Sequence, residues 1–207
     1  MLKNYLICVL TTLLFAACAS EPEELPFYAG LDLTPQWLSK ASREYSKLPV
    51  VEDFNLTDQK SRAVSNHALA GKVYVANFFF STCTNICPTM RTNLTQVQDR
   101  FSDNDQVRII SHSIVPAYDD PDVLARYGQI NNVDPDFWHL VTGPKEDITE
   151  LALKSYFVDL SDITAGGYAH TENLVLIDTN GHVRGVYNGT LAFEVENLIA
   201  DIAHLVE

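Results

Sequence analysis

The residues Lys72-Val-Tyr-Val-Ala-Asn-Phe-Phe-Phe-Ser-Thr-Cys83-Thr-Asn-Ile-Cys87-Pro88-Thr-Met90 carry most of the information about the fold. Residues 73–80 are apolar, aromatic and β-branched without alternation, which is typical of a central strand covered on both faces. Pro88 suits the first turn of a helix, and apolar residues follow it at helical spacing as far as Phe101. The sequence therefore predicts two cysteines in a turn between a buried strand and a helix N-terminus.

These two cysteines, Cys83 and Cys87, are four positions apart and can lie on one side of the chain. The unpaired N–H groups and the dipole of a helix N-terminus favour the thiolate, which is both the nucleophile and the metal ligand. The pair could close a disulfide or hold one soft metal ion. A pair of buried, apolar cysteines with a structural role is the alternative.

The composition indicates a globular protein with one domain. The chain has 207 residues, of which 46% are hydrophobic and 20% are charged. Its net charge is −13, and because phosphate binding depends on Lys and Arg, nucleic acid is not an expected partner.

The N-terminus has the pattern of a targeting segment. Residues 1–17 contain Lys3 and an apolar core that is too short for an ordinary membrane span. The residues Leu14-Phe15-Ala16-Ala17-Cys18 resemble a bacterial lipoprotein box, with Cys18 as the lipidated first residue of the mature chain. A plain secretory cleavage site is the alternative.

We expect three regions on this basis: a signal peptide over residues 1–17, a lipid-anchored tether and arm over residues 18–45, and the folded domain over residues 46–207. The protein would then be held on a membrane of the cell envelope, with its domain facing the periplasm or the cell exterior. Cys8 would leave with the signal peptide, so that only Cys83 and Cys87 remain for chemistry.

Strands and helices alternate after the central strand. Asp120-Pro121 predicts a helix start, with Asp120 as the cap and a helix as far as about Tyr127. A hairpin with an Asn180-Gly181 turn and a last amphipathic helix over residues 191–206 end the chain. This order predicts an α/β fold, with a central mixed sheet flanked by helices and preceded by an N-terminal arm and a small hairpin. The cysteine pair after the first buried strand indicates a thioredoxin-like fold, although its spacing is one residue longer than in the usual redox motif.

A metal site would need more ligands than the two cysteines. His170 lies in a glycine-bearing loop before the strand over residues 174–177, and in a thioredoxin-like unit this loop lies across from the cysteines. Two thiolates and one imidazole suit copper, whereas structural zinc usually has four ligands and would recruit another residue. His112 is the candidate for that fourth ligand, and an ordinary, hydrogen-bonded strand histidine is the default interpretation of this residue. The other histidines are expected elsewhere: His67 and His182 at the surface, His139 in the core or in a hydrogen bond, and His204 at the end of the last helix.

Four segments together resemble the Sco/SenC family: Phe78-Phe-Phe-Ser-Thr-Cys83-Thr-Asn-Ile-Cys87-Pro88-Thr-Met90, Ser111-His-Ser-Ile-Val-Pro116, Trp138-His-Leu-Val-Thr-Gly143 and His170-Thr-Glu-Asn-Leu-Val-Leu-Ile-Asp178. The resemblance extends roughly from Phe27 to the C-terminus. It implies a membrane-anchored copper chaperone with a thioredoxin fold, which helps to assemble the binuclear copper site of cytochrome c oxidase. It also implies Cys83, Cys87 and His170 as the copper ligands, and the copper-site subunit of the oxidase or another copper acceptor as the partner.

The chain departs from the family pattern at two positions. Many members have Asp-Pro where this chain has Val115-Pro116, and many have Asp before the ligand histidine, where this chain has Ala169. Groups around a metal ligand orient it and change its affinity, so the tuning of the metal and the recognition of the partner are expected to differ here.

Two enzymatic alternatives remain. One is a thiol–disulfide reductase that keeps the cysteines of an oxidase subunit or of another envelope protein reduced. Thioredoxin-type oxidoreductases share a cis-proline opposite their cysteines, and this chain has no proline after Pro144, which favours metal capture over general dithiol exchange. The other is a peroxidase of the peroxiredoxin type, which needs a low-pKa cysteine with a nearby arginine such as Arg91.

Overall fold

The computed structural model describes residues 24–160 and 171–207. Its strands are β1 (Asn55–Asp58), β2 (Ala63–Ser65), β3 (Val73–Phe79), β4 (Val107–Ser113), β5 (Trp138–Thr142), β6 (Asn173–Ile177) and β7 (Val183–Asn188). Its α-helices are α1 (Cys87–Phe101), α2 (Pro121–Ile130), α3 (Lys145–Ser155) and α4 (Ala192–Val206).

The strands of the described residues form one mixed sheet with the order β2-β1-β5-β4-β3-β6-β7. The three middle strands β5, β4 and β3 are parallel, and two antiparallel hairpins extend the sheet on either side. Phe78 pairs with His112 across β3 and β4, and Ala76 pairs with Val175 across β3 and β6. The start of β6 therefore lies at the same end of the sheet as the end of β3.

Strand β3 is buried along its whole length, as its sequence predicts. Val73 and Val75 face a core cluster that also contains the apolar residues of α1, α2 and α4. Tyr74 and Ala76 face a second cluster on the other side of the sheet, to which α3 contributes. Both faces are thus covered by helices, and this explains why the strand has no polar–apolar alternation.

The predicted ends of the helices are close to those observed. Helix α2 begins at Pro121, and the Oδ1 atom of Asp120 accepts a hydrogen bond of 2.8 Å from the N–H of Val123, so the predicted cap is confirmed. The helix continues to Ile130, three residues beyond the predicted end at Tyr127. Helix α1 begins at Cys87 itself, with Pro88 in its first turn.

The N-terminal arm packs on the last hairpin. Phe27 is buried, and its ring lies 5.4 Å from the ring of Tyr45 and 5.6 Å from that of His182. The backbone N–H of Tyr28 donates to the carbonyl oxygen of Val183. The predicted surface position of His182 is wrong, because the arm covers the hairpin turn and the His182 Nδ1 atom lies 3.0 Å from the carbonyl oxygen of Pro49.

The expectations for two other histidines are confirmed. His67 is exposed, and the Nδ1 atom of His139 lies 3.1 Å from the Oδ2 atom of Asp58. Within residues 24–160 and 171–207, no helix is both long and apolar enough to cross a membrane. The predicted signal peptide, Cys18 and the first part of the tether lie outside the described residues.

Candidate metal centre

The cysteine turn leaves the end of β3 and leads into α1. The N–H of Cys83 donates to the carbonyl oxygen of Phe80 at 3.2 Å, which bends the chain directly after the strand. The N–H of Met90 donates to the carbonyl oxygen of Ile86 at 3.0 Å and so begins the helical ladder around Cys87. The predicted position of both cysteines, between a buried strand and a helix N-terminus, is confirmed.

The two thiols are free and differ in exposure. Cys87 is 6% exposed and belongs to the core cluster that contains α1, whereas Cys83 is half-buried and contacts both clusters. Burial, followed by a hydrogen bond with the Cys83 thiol, raises the pKa of Cys87 to about 12. The expected stabilisation of the thiolate by the helix N-terminus is therefore outweighed at Cys87, because desolvation disfavours the charged form more strongly.

A cavity of about 10 Å³ lies beneath Cys87 and is lined mainly by apolar and aromatic side chains, with Asn77 and Ser111 among the polar ones. Its volume is close to that of the smallest space that holds one water molecule. In its wall, Trp138 Nε1 donates to Ser111 Oγ at 2.8 Å, and Ser111 Oγ donates to Asn77 Oδ1 at 2.6 Å. Arg91 also lines the cavity, and its guanidinium donates to the side-chain oxygen of Asn131. A peroxidase needs a cysteine of low pKa with an arginine beside it, but burial raises the pKa of Cys87, and the Arg91 guanidinium is bonded to Asn131. The geometry at Cys87 therefore does not favour a peroxidase.

Asp119 is a further residue of this region, and no sequence pattern predicts a role for it. Its carboxylate is fully buried and accepts hydrogen bonds from the N–H of Ser81 at 3.1 Å, from the Ser81 hydroxyl, and from Ser113 Oγ at 2.5 Å. The pair Asp119-Asp120 was visible in the sequence, but the helix cap accounted for Asp120 and nothing local showed that its neighbour turns inward.

The structure brings only part of the predicted ligand set together. His112 is fully buried, with its ring stacked on Phe78 at 5.1 Å and close to that of Tyr156 at 5.3 Å. Over residues 24–160 and 171–207, no group of three or more His, Cys, Asp or Glu side chains could hold a metal ion, so His112 does not join the two cysteines. His170 lies outside the described residues.

The SCO1/SenC family model matches residues 42–207, which is most of the chain and includes the whole cysteine turn. The chain belongs to the SCO1/SenC family.

Solved structures of this family have the same fold. A SCO1/SenC family lipoprotein from Bacillus anthracis is 31% identical, with a TM-score of 0.70 over 76% of this chain and 95% of that one. BsSco, described as having a disulfide switch and as a member of the Sco family of cytochrome c oxidase assembly proteins, is 30% identical, with a TM-score of 0.66 over 74% and 91%. ScoI of Bradyrhizobium japonicum, solved with copper bound, is 25% identical, with a TM-score of 0.61 over 76% and 99%. The predicted thioredoxin-like fold is thus confirmed.

Proposed function

We propose that this SCO1/SenC protein is a copper metallochaperone that delivers copper to a membrane-bound oxidase, at the binuclear copper site of cytochrome c oxidase. The observation that carries the proposal is the pair of free, hydrogen-bonded thiols of Cys83 and Cys87 at the end of β3. Thiolate sulfur is the ligand type that Cu(I) prefers, and two such ligands satisfy its low coordination number. The copper-bound ScoI of B. japonicum and the assembly role stated for BsSco support the same function.

The unequal exposure of the two cysteines suits the transfer of a metal ion. Cys87 is held in the core at the start of α1, whereas Cys83 is accessible to a partner's ligand. Binding of Cu(I) to the reduced pair replaces the proton of each thiol and releases two protons. An acceptor's thiolate or imidazole can then replace Cys83 and afterwards Cys87, so that copper passes on by ligand exchange without any change in its oxidation state.

We propose His170 as the third ligand. Strand β6 begins at Asn173, three residues after His170, and runs antiparallel to β3. The described chain before β6 therefore starts at the end of the sheet where the cysteine turn lies. An imidazole added to two thiolates would complete a Cu(II) site or close a Cu(I) site.

We also propose that residues 1–17 are a signal peptide and that lipid on Cys18 anchors the protein to a membrane of the cell envelope, with residues 18–45 as tether and arm. The lipoprotein description of the B. anthracis relative supports this assignment. Mass spectrometry of the membrane-bound protein tests it: the mature chain should begin at an acylated Cys18, and a C18S variant should leave the membrane fraction.

An anaerobic copper titration of the reduced full chain in detergent tests the copper site. The wild type should bind one Cu(I), and C83S or C87S should weaken this binding by at least about a hundredfold, since one thiolate is lost. H170A should keep Cu(I) within about tenfold and lose the sulfur-to-copper charge-transfer absorption of Cu(II). H67A is the matched control, because His67 is an exposed histidine and its loss should change neither signal.

A thiol–disulfide reductase is the second candidate, because the two thiols are close enough for a hydrogen bond and BsSco is described as having a disulfide switch. Burial raises the pKa of Cys87, so the more exposed Cys83 would attack a substrate disulfide and Cys87 would then resolve the mixed disulfide. A wild type that binds no Cu(I) but reduces insulin disulfides catalytically would establish the reductase and exclude the chaperone. Full Cu(II) binding by H170A would remove His170 from the ligand set.

A further inference from the structure

The carboxylate of Asp119 has an unusual environment for a buried charge. It is fully buried, and its two oxygens accept three hydrogen bonds from Ser81 and Ser113. Among the described residues, no ion pair includes Asp119. A buried carboxylate is costly unless it is well hydrogen-bonded, so its position depends on these neutral donors.

Asp119 is also fixed from its own side of the chain. Its N–H donates to the carbonyl oxygen of Val115 at 3.0 Å, which closes the turn after β4, and the next residue, Asp120, caps α2. The carboxylate therefore projects from a rigid corner formed by the end of β4 and the start of α2.

The group that this carboxylate holds is the peptide unit that joins Phe80 to Ser81. The N–H of this unit donates to Asp119, and its carbonyl oxygen accepts from the N–H of Cys83. The N–H of Phe80 itself interacts with the sulfur of Cys87 and lowers the pKa of that thiol against the larger effect of burial. The backbone of Phe80 and Ser81 thus contacts both cysteines, and the hydrogen bonds of Asp119 hold it in place.

We propose that Asp119 is a positioning residue for the cysteine pair: by fixing the Phe80–Ser81 peptide it sets the distance between the two sulfurs that bind one metal ion or close a disulfide. The metal part of this inference rests on the proposed copper function, whereas the disulfide part does not. The residue touches neither the metal nor the thiols directly and acts through the backbone.

Two substitutions separate the geometry of Asp119 from its charge. D119N can keep all three hydrogen bonds, because the amide oxygen can accept from the Ser81 N–H and the Ser113 hydroxyl, while the amide nitrogen donates to a reversed Ser81 hydroxyl. D119A removes every one of these bonds, so the N–H of the Phe80–Ser81 peptide loses its partner while its carbonyl oxygen keeps the bond from Cys83. S81A removes only the hydroxyl contact and is a milder change, which serves if D119A does not fold.

Two readouts on the reduced full chain test the proposal. The first is the Cu(I) dissociation constant, measured by competition with a chromophoric chelator. The second is the dithiol–disulfide equilibrium of Cys83 and Cys87 in a buffer of reduced and oxidised dithiothreitol, in which one disulfide forms as the other is reduced. Supporting groups of metal ligands typically contribute 10- to 100-fold in affinity. We expect D119A to weaken Cu(I) binding at least about tenfold and to shift the disulfide equilibrium by a similar factor, S81A to have a smaller effect in the same direction, and D119N to stay within about threefold of the wild type.

The matched control is D58A. Asp58 is likewise fully buried and accepts hydrogen bonds from the N–H groups of Lys60 and Arg62. It is the last residue of β1, and its carboxylate contacts the Arg62 guanidinium and His139 of β5, away from the cysteine turn. D58A should lower the free energy of unfolding without changing either readout of the folded protein.

A D119A protein that matches the wild type in both readouts would overturn the proposal. So would a D119N protein as impaired as D119A, since the charge and not the hydrogen bonds would then matter, or a D58A protein with the same losses. If the wild type binds no Cu(I), the proposed copper function fails, but the dithiothreitol equilibrium still decides the role of Asp119.

Discussion

The guanidinium carbon of Arg184 lies 3.9 Å from the centre of the Phe27 ring and holds the N-terminal arm on the last hairpin. The Arg184 Nε–H donates to the carbonyl oxygen of Pro26 at 3.0 Å, and Nη1 donates to Asp178 Oδ2 at 3.1 Å. The side chains of Arg184 and Asp178 are 7% and 6% exposed. One side chain therefore joins the arm, the hairpin and a buried carboxylate.

R184A should lower the free energy of unfolding by about 3 kcal/mol, because it leaves the buried Asp178 carboxylate without its charged partner and releases the arm. Urea denaturation at pH 7 measures this loss, and limited proteolysis should show earlier cleavage in the arm. R126A is the control, since Arg126 is exposed on α2 and its removal should change stability by no more than about 0.5 kcal/mol. If R184A and R126A had the same urea midpoint, the contacts of Arg184 with the arm and with Asp178 would contribute nothing to stability.

His112 makes the stability of the protein depend on pH. Its Nε2 atom is buried without a hydrogen-bond partner among the described residues, and its Nδ1 atom lies 3.3 Å from the carbonyl oxygen of Asn77. Burial among aromatic rings lowers the pKa of His112 from 6.5 to about 4. The expectation of an ordinary, hydrogen-bonded strand histidine is thus only half met.

Because the folded pKa of His112 lies below the unfolded one, the unfolded chain binds the proton first. The contribution of neutral His112 is complete above about pH 6.5 and falls by about 1.4 kcal/mol per pH unit as the pH drops toward 4. H112F keeps the aromatic surroundings and removes the titrating group, so its urea midpoint should fall less steeply between pH 7 and pH 4.5. His139, whose pKa burial also lowers, remains in both proteins and cancels in the comparison. Parallel curves for wild type and H112F would rule out this role.

The two cysteines should differ in reactivity when the protein is reduced and metal-free. Cys83 is half-buried, whereas Cys87 is 6% exposed and has a raised pKa, so its nucleophilic thiolate is scarce at neutral pH. Iodoacetamide at pH 8 should modify Cys83 at least about tenfold faster than Cys87, as followed by peptide mass spectrometry. In urea the two rates should converge, because both thiols are then solvated. Equal rates in the folded protein would contradict the burial of Cys87.

The parts of the fold that the sequence predicts correctly are those that depend on interactions between residues close together in the chain. The uninterrupted apolar run of β3 indicated a strand between two layers, and Pro88 with the helical spacing after it located the start of α1 close to the observed Cys87. Asp120 capped α2 as predicted, since a cap is a contact between residues three positions apart. The position of the cysteine pair follows from the same near-neighbour rules.

Contacts between distant segments could not be predicted in this way. The burial of His182 depends on the arm that crosses its turn, and the pKa of Cys87 depends on packing from several elements. Asp119 and Ser81 are 38 residues apart, and nothing near either residue shows that they meet. Periodicity and turn chemistry report forces that act over a few residues, whereas desolvation and buried hydrogen bonds arise only once the chain has closed on itself. For this reason the sequence alone identifies the two cysteines as the candidate site. Their protonation, and the hydrogen bonds that hold the backbone between them, depend on the tertiary structure.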